Sequence, residues 1–323
     1  MACIGIDILW MNDATFKKDW EQGVERFLLQ TSGSTGAPKT IALERAKLIW
    51  SAEQTLKFLP SKPKRMYLCL PTHKVGGFMQ MVRACVWNIP LCIKTPKAKP
   101  VLDMEVKEAC ISLTPHQLYH CLQSEKTVRA LSQAHSILIG GGSIGFEVPD
   151  AISCKLFHTY GMTETYSHIA YRRLDSGYFY PLPTVDLDVN EESCLKIKCV
   201  LTDGEWLQTT DVVAFKNGGF KILGRNDHMI NSGGLKLHPE EIEAEILAEN
   251  PHAYNSFFVG SIKDAVLGEK AVLVKERGLE LSLSPSSNLK YIKITVEVDC
   301  LWFTATEKID RRRSMKEAGL DFA

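Results

Sequence analysis

The pattern of apolar and polar positions divides the chain into two regimes. In the first, short apolar runs bounded by breakers alternate with stretches of helical period. Met66 to Leu70 and Pro90 to Ile93 read as buried strands, and Gly77 to Trp87 between them suits a helix. Upstream, Arg26-Phe27-Leu28-Leu29-Gln30 is strand-like and runs into a Gly/Ser/Thr loop at 31–39. Ile41 to Leu59 predicts one helix, with Leu43, Ala46, Ile49, Trp50 and Leu56 near the helical period and Ser61-Lys62-Pro63 beyond it. Ser136 to Ile139 is a further buried strand, ending in Gly140-Gly141-Gly142. Strands alternating with helices imply an α/β architecture with largely parallel pairing.

After about residue 180 the pattern changes to short strands and turns: Cys194–Val200, Val212–Phe215 and Phe220–Leu223, with Asp203-Gly204 and Asn217-Gly218-Gly219 as turn signals. Asn231-Ser232-Gly233-Gly234 then precedes a marked helix start. Pro239 occupies its first turn, Glu240 and Glu241 complement the helix N-terminus, and Ile242, Ile246 and Leu247 form its apolar side. Phe257–Ile262, Ala271–Lys275 and Ile292–Val298 read as three strands. This predicts a large α/β domain over 1–226 and a small α+β domain over 227–323, joined near Gly224-Arg225-Asn226-Asp227.

Composition narrows the class. With 323 residues the chain is long enough for about two domains at roughly 150 residues each. Hydrophobic residues at 45% and charged residues at 24% are the balance of a folded globular protein. Lys+Arg and Asp+Glu both number 38, so the surplus of positive charge that phosphate backbones and anionic membranes select is missing, and neither partner is expected. No apolar run approaches the roughly 18 residues of a membrane span, and Met1-Ala2-Cys3-Ile4-Gly5-Ile6-Asp7 lacks the basic start of a secretory signal. The ten cysteines are scattered without a C-x-x-C pair. Cys194 and Cys199 are too isolated for a zinc knuckle, and several others sit inside apolar runs as small core residues. A soluble cytoplasmic protein follows as the expectation.

The densest chemistry is Thr31-Ser32-Gly33-Ser34-Thr35-Gly36-Ala37-Pro38-Lys39-Thr40. Its glycines let backbone N–H groups approach an anion, its hydroxyls add donors and Lys39 adds charge, which together suit a polyphosphate. It is not a Walker A loop, because Ala37-Pro38 separates Gly36 from Lys39. A flexible surface turn is the alternative reading of such a stretch.

This loop resembles the phosphate-loop signature of the adenylate-forming superfamily of acyl-CoA synthetases, luciferases and adenylation domains, and further motifs follow in that family's order. Tyr160-Gly161-Met162-Thr163-Glu164-Thr165 resembles the second signature. The resemblance implies that Tyr160 stacks on adenine, Thr163 touches the α-phosphate and Glu164 holds Mg²⁺; a ring, a hydroxyl and a hard carboxylate suit those tasks. Gly140, Gly141, Gly142 and Ser143 correspond to the strip along the other face of adenine. Thr209-Thr210-Asp211 resembles the ribose-binding element, where the Asp211 carboxylate can accept two hydrogen bonds from a diol. Arg225 corresponds to a residue near the ribose and Asp227 to the hinge. Gly233 and Gly234, before Leu235-Lys236-Leu237-His238-Pro239-Glu240-Glu241-Ile242-Glu243, correspond to the loop that serves thioester formation. Thr304-Ala305-Thr306-Glu307-Lys308-Ile309-Asp310-Arg311 resembles the terminal motif, making Lys308 the catalytic lysine. Two features depart from the pattern. Glu307 replaces a glycine, where it can pair with Lys308, hold it back or alter the loop backbone. Only 30 residues precede the phosphate loop, so the large domain is expected to be truncated at its N-terminus.

The resemblance implies an ATP-dependent acid–thiol ligase that uses ATP, Mg²⁺ and coenzyme A. A carboxylate attacks the α-phosphorus to give an acyl-adenylate, and a thiol then displaces AMP. Within the superfamily the chain is most similar to o-succinylbenzoate–CoA ligases of menaquinone biosynthesis, on Leu70-Pro71-Thr72-His73-Lys74-Val75-Gly76-Gly77, on Tyr166-Ser167-His168-Ile169-Ala170 and on overall size. The second carboxylate of that substrate calls for cationic or hydroxyl partners, with His73, Lys74, Ser167 and His168 as candidates and Gly77 in the same segment. An exposed loop pair is the alternative reading of His73 and Lys74. Another aryl or fatty acid, or a nucleotide-binding pseudoenzyme, are the alternatives, and a homo-oligomer is left open. His116 and His120 have metal-ligand spacing but lack the Glu of H-E-x-x-H, so a packed or solvated helix face is expected. The clusters Lys62/Lys64/Arg65 and Lys94/Lys97/Lys99 read as solvated surface, with a contact to the phosphates of coenzyme A as the alternative.

Overall fold

The computed structural model describes residues 14–30, 40–153, 155–284, 288–304 and 308–320. Helix α1 (Ala14–Glu21) precedes a hairpin of β1 (Arg26–Gln30) and β2 (Thr40–Glu44), paired antiparallel from Arg26↔Glu44 to Gln30↔Thr40. Phe16 of α1 and Phe27 of β1 are buried with ring centroids 5.6 Å apart, and Trp20 stacks on Phe27 at 5.9 Å.

The single helix expected over Ile41–Leu59 is therefore a strand followed by a helix, α2 (Arg45–Phe58). The partner strand β1 explains the difference: a β-ladder captures β-branched Thr40 and Ile41, and a one-dimensional period cannot reveal that partner. The buried side of α2 is also rotated from the expected stripe. Leu48, Ser51, Ala52 and Thr55 are buried, whereas Ala46 is exposed and Ile49 and Trp50 are half-buried.

The chain continues through β3 (Arg65–Leu68), α3 (Val75–Trp87), β4 (Leu91–Ile93), β5 (Ala109–Leu113), α4 (Pro115–Leu122), α5 (Glu125–Ser132) and β6 (Ser136–Ile139). It then forms α6 (Asp150–Ser153), β7 (Leu156–Gly161), β8 (His168–Arg172) and β9 (Tyr180–Pro181). One seven-stranded sheet results, in the order β4-β3-β5-β6-β7-β8-β9. Pairing is parallel from β4 to β7 and antiparallel to β8 and β9. The parallel strands are covered, as their continuous apolar runs require: every residue of β5 and β6 is buried. Helix α4 starts on a reciprocal cap. Thr114 Oγ1 accepts from Gln117 N at 3.1 Å, the Gln117 side chain accepts from Thr114 N at 3.1 Å, and Pro115 fills the first turn.

Strands β10 (Asp186–Val189), β11 (Cys194–Lys198), β12 (Leu207–Lys216) and β13 (Gly219–Arg225) form a second sheet in that order. Asn217 and Gly218, at φ +51° and +77°, make the two-residue turn between β12 and β13 that the Asn-Gly pair favours. A third sheet contains β14 (Ile230–Ser232), β15 (Leu235–Leu237), β16 (Phe257–Asp264), β17 (Gly268–Glu276) and β18 (Ile294–Val298), with α7 (Pro239–Glu249) and α8 (Arg311–Glu317). Strand alternation gives this sheet two apolar faces. Phe257, Val259, Ala271 and Leu273 pack with Ile242 and Ile246 of α7, while Phe258, Val272 and Val274 pack with Met315 of α8.

By packing the chain divides into two units. The first holds 1–143, 148–186 and 197–207, and the second holds 144–147, 187–196 and 208–323. The hinge expected at Asp227 concerns motion, a separate property. The eight described cysteines are free, and among the described residues no helix is long and apolar enough to cross a membrane.

Candidate active site

The segment between β7 and β8 is folded back tightly on itself. The buried Thr165 hydroxyl accepts from Met162 N at 3.1 Å and donates to the Ser167 carbonyl at 2.7 Å, while Tyr166 N donates to the Thr163 carbonyl at 2.9 Å. Tyr166 adopts φ +61°, unusual for a bulky residue, with its ring buried and its hydroxyl accepting from Glu44 N of β2 at 3.2 Å. The result leaves Thr163 half-buried and Glu164 exposed at the apex, and no described residue forms an ion pair with Glu164. A hydroxyl beside an exposed hard carboxylate fits a phosphate oxygen and a Mg²⁺ ion.

The fold-back also explains Gly161. A Cβ there would overlap the Ser167 carbonyl and the His168 backbone, neither of which can move independently of β8. Gly161→Ala is expected to destabilise the protein by about 3 kcal/mol, read as a lowered urea midpoint at unchanged slope. An unchanged midpoint would show that the turn yields.

The Ser167 and His168 side chains lie against α3. The Arg83 guanidinium donates to Ser167 Oγ at 2.7 Å and approaches His168 Nδ1 at 3.5 Å. Thr55 Oγ1 donates to the Ser51 carbonyl and so accepts from His168 Nε2 at 3.0 Å, an arrangement that assigns the ring proton to Nε2. His168 is buried, and desolvation together with the Arg83 charge pushes its pKa well below the usual value, so the ring is neutral. Arg83 itself is 3% exposed. Its Nε has no hydrogen-bond partner, and burial lowers its pKa to about 10. One helical turn earlier, Gln80 donates to Ser112 of β5 and leaves its buried Oε1 unpaired. Arg83 escaped the sequence reading, although a signal was there: it is the one charged residue of α3, whose other positions are mostly apolar.

His73 is exposed and Lys74 half-buried on the turn before α3, where Lys74 N donates to the Pro71 carbonyl at 3.1 Å. Gly77 is buried beneath that turn, and a Cβ on it would overlap the Pro71 carbonyl. The glycine strip is exposed from Gly141 to Ser143, with Gly141 at φ +88°. Tyr160 is buried with its ring tilted against Phe179 at 6.1 Å. Thr31, Ser32, Gly33, Ser34, Thr35, Gly36, Lys39 and Glu307 lie outside the described residues. His116 and His120 meet Nε2 to Nε2 at 3.2 Å, and among the described residues no third His, Cys, Asp or Glu completes a metal-binding group.

Asp211, Arg225, Asp227 and Lys308 belong to the second unit. Asp211 and Arg225 are register partners on β12 and β13. The Arg225 guanidinium grips Asp227 with two bonds of 2.8 Å and stands 4.0 Å from Asp211, and its charge holds the Asp227 carboxyl below the usual range. Lys308 accepts from Thr304 N at 2.8 Å through its carbonyl. Desolvation, with the Arg225 charge second, lowers its pKa; the residue remains exposed, so water screens the effect and the ammonium persists at neutral pH. Three residues on, half-buried Arg311 ties the start of α8 to α7 and β16, donating to Glu243 at 2.8 Å and to the Val259 carbonyl at 2.6 Å. Gly233 and Gly234, at φ +60° and +84°, form the turn between β14 and β15.

The chain belongs to the AMP-binding enzyme family, whose profile matches residues 25–200. Among solved structures it is similar to an acyl-CoA synthetase (AMP-forming)/AMP-acid ligase II-like protein from Dyadobacter fermentans, at 32% identity and a TM-score of 0.59, covering 94% of this chain and 93% of that one. It shares the fold of o-succinylbenzoate CoA synthetase from Bacillus subtilis, at a TM-score of 0.71 and 20% identity over 88% of this chain and 68% of that one. The 2-succinylbenzoate–CoA ligase of Escherichia coli is 28% identical over 268 residues, 76% of this chain and 57% of that protein. The chain spans about three fifths of the length of such curated relatives.

Proposed function

We propose that the protein is an AMP-forming acid–thiol ligase that converts o-succinylbenzoate to o-succinylbenzoyl-CoA, a step of menaquinone biosynthesis, in the cytoplasm. The observation that carries this reading is the 161–168 turn. Its apex presents Thr163 and Glu164, and its far end holds Ser167 against the buried guanidinium of Arg83. One short segment would thus join a nucleotide site to a cation for the acid.

In the first half-reaction the acid's carboxylate oxygen bonds to the α-phosphorus of ATP, and the bond to the β-phosphate oxygen breaks to release pyrophosphate. Thr163 would donate to an α-phosphate oxygen, and residues 31–39 with Lys39 would hold the leaving pyrophosphate. Glu164 would hold Mg²⁺, whose charge offsets that of the triphosphate. Tyr160 and the 140–143 strip would take the two faces of adenine, Asp211 would accept from the ribose diol and Arg225 would stand beside the ribose. Lys308, protonated, would lie between the carboxylate and the α-phosphate and lower the repulsion of two anions. In the second half-reaction the thiol of coenzyme A attacks the acyl carbon, AMP leaves, and the thiol proton passes to solvent. Turning about Asp227 would withdraw Lys308 and bring the Gly233-Gly234 loop to the thiol, with the Arg225–Asp227 ion pair at the pivot.

Charge supports this substrate. Arg83 is a buried cation with no carboxylate bonded to it among the described residues, and a second carboxylate on the substrate would complete that pairing. His73 and Lys74, on the turn above Gly77, would border the same acid. Thioester yield from o-succinylbenzoate, benzoate and octanoate, with ATP, Mg²⁺ and coenzyme A supplied, is expected to favour the first by about 100-fold. Turnover of benzoate or octanoate in its place would overturn the substrate. ATP binding without carboxylate-dependent pyrophosphate exchange would overturn the activity and leave a nucleotide-binding protein.

A further inference from the structure

We propose that His158 is a positioning residue for the nucleobase slot: through its ring Nε2–H it holds the Gly142 carbonyl and so sets the glycine strip that, on the function proposed above, lies along one face of adenine. His158 lies on β7 two residues before Tyr160, on the same face of the strand, and is 3% exposed. Nε2 stands 2.8 Å from the Gly142 carbonyl oxygen. On the other side of the ring, Arg172 Nε stands 3.2 Å from Nδ1. A guanidinium can only donate, so Nδ1 accepts and the ring proton resides on Nε2, directed at Gly142. Burial, followed by the Arg172 charge, pushes the His158 pKa down to about 4, so the ring stays a neutral single donor at physiological pH.

The strip needs such a tether because burial does not supply one. Gly141, Gly142 and Ser143 are exposed, and Gly141 at φ +88° bends the chain as it leaves β6. Gly140 N reaches the Leu113 carbonyl at 3.3 Å, which holds the beginning of the strip, and His158 holds its end. Phe179 ties the second wall to the same ring. It packs edge-on to His158 at 5.0 Å and tilts against Tyr160 at 6.1 Å, while the Arg172 guanidinium lies 4.9 Å over it. His158 thus touches both the backbone of one wall and the ring that supports Tyr160, without facing the nucleotide itself.

A histidine that merely fills space would be replaceable by any ring of similar volume. A positioning histidine is replaceable only by a side chain that donates from the same place. Adenosine and inorganic pyrophosphate separate the base-dependent part of ATP binding from the phosphate part, and calorimetry can measure both on wild type, His158→Gln and His158→Phe. The glutamine amide can reach Gly142 as Nε2 does; phenylalanine fills the volume but orphans the carbonyl and Arg172 Nε. Adenosine binding is expected to weaken about 10-fold in His158→Phe and to stay within about 3-fold of wild type in His158→Gln, with pyrophosphate within about 2-fold in both. Equal losses for adenosine and pyrophosphate, or no loss in His158→Phe, would overturn the inference. Failure of wild type to bind adenosine would overturn the proposed function and this inference together, whereas wild-type binding with an unaffected His158→Phe would overturn the inference alone. Should His158→Phe not fold, ring nitrogen NMR on wild type decides: the proton on Nδ1 overturns the inference, and the proton on Nε2 with near-normal adenosine binding by His158→Gln upholds it.

Discussion

Lys308→Ala is expected to stop acyl-adenylate formation, by about 1,000-fold or more in carboxylate-dependent pyrophosphate exchange, while leaving thioester formation from supplied acyl-adenylate within about 3-fold of wild type. The split follows from charge. Adenylation brings a carboxylate up to a phosphate, and a fixed ammonium between them lowers the barrier; displacement of AMP by a thiol brings no second anion to the phosphorus. Stability should not change, because Lys308 is exposed, its backbone carbonyl keeps the Thr304 bond, and Arg311 three residues on keeps its bonds to Glu243 and Val259. Assaying the two half-reactions separately provides the check. Parallel loss in both would remove Lys308 from the first step and the proposed division of labour with it.

The second large effect is expected at Arg83. Arg83→Met keeps the length and much of the volume of the side chain but removes the buried guanidinium. Turnover of o-succinylbenzoate should fall about 100-fold in kcat/KM, and turnover of benzoate, which has no second carboxylate, should not fall. The free protein should unfold at an equal or higher denaturant concentration, because desolvating a cation without a carboxylate partner costs more than its bond to Ser167 returns. That opposite sign separates a recognition residue from a structural one. A matching loss with benzoate, or a marked drop in stability, would make Arg83 a structural tie between α3 and β8.

Much of the fold was legible because its signals are local. Apolar runs between breakers marked β3, β4 and β6, Asn217-Gly218 marked the hairpin of β12 and β13, and Pro239 with two glutamates marked the start of α7. What escaped depended on partners distant in sequence. Residues 41–44 read as helix until β1 supplied a ladder, and the buried face of α2 was set by what packs on it rather than by its own period. The site divides the same way. Thr163 and Glu164 were legible as types in a motif, but the fold-back at Gly161 that exposes them rests on contacts with Ser167 and on the Glu44–Tyr166 bond, 122 residues apart. His168, expected among groups for the substrate, is a neutral, buried ring bonded to Thr55. Arg83 stood in plain view as a lone charge in an apolar helix, but only the fold shows that it meets Ser167.

The economy of the 161–168 turn constrains how such a protein could be re-targeted. Thr163, Glu164 and Ser167 share one fold-back that has no slack, since Gly161 already lies against the Ser167 carbonyl. An insertion or deletion made there to admit a bulkier acid would also displace the groups assigned to the nucleotide. Side-chain exchanges on helix α3 leave the length of that turn unaltered. Gln80 and Arg83 project from a helix frame that stays put when its side chains are exchanged, so a library confined to these two positions should alter acid preference while ATP affinity holds. In this architecture, divergence of substrate is expected to proceed along a helix rather than through a loop.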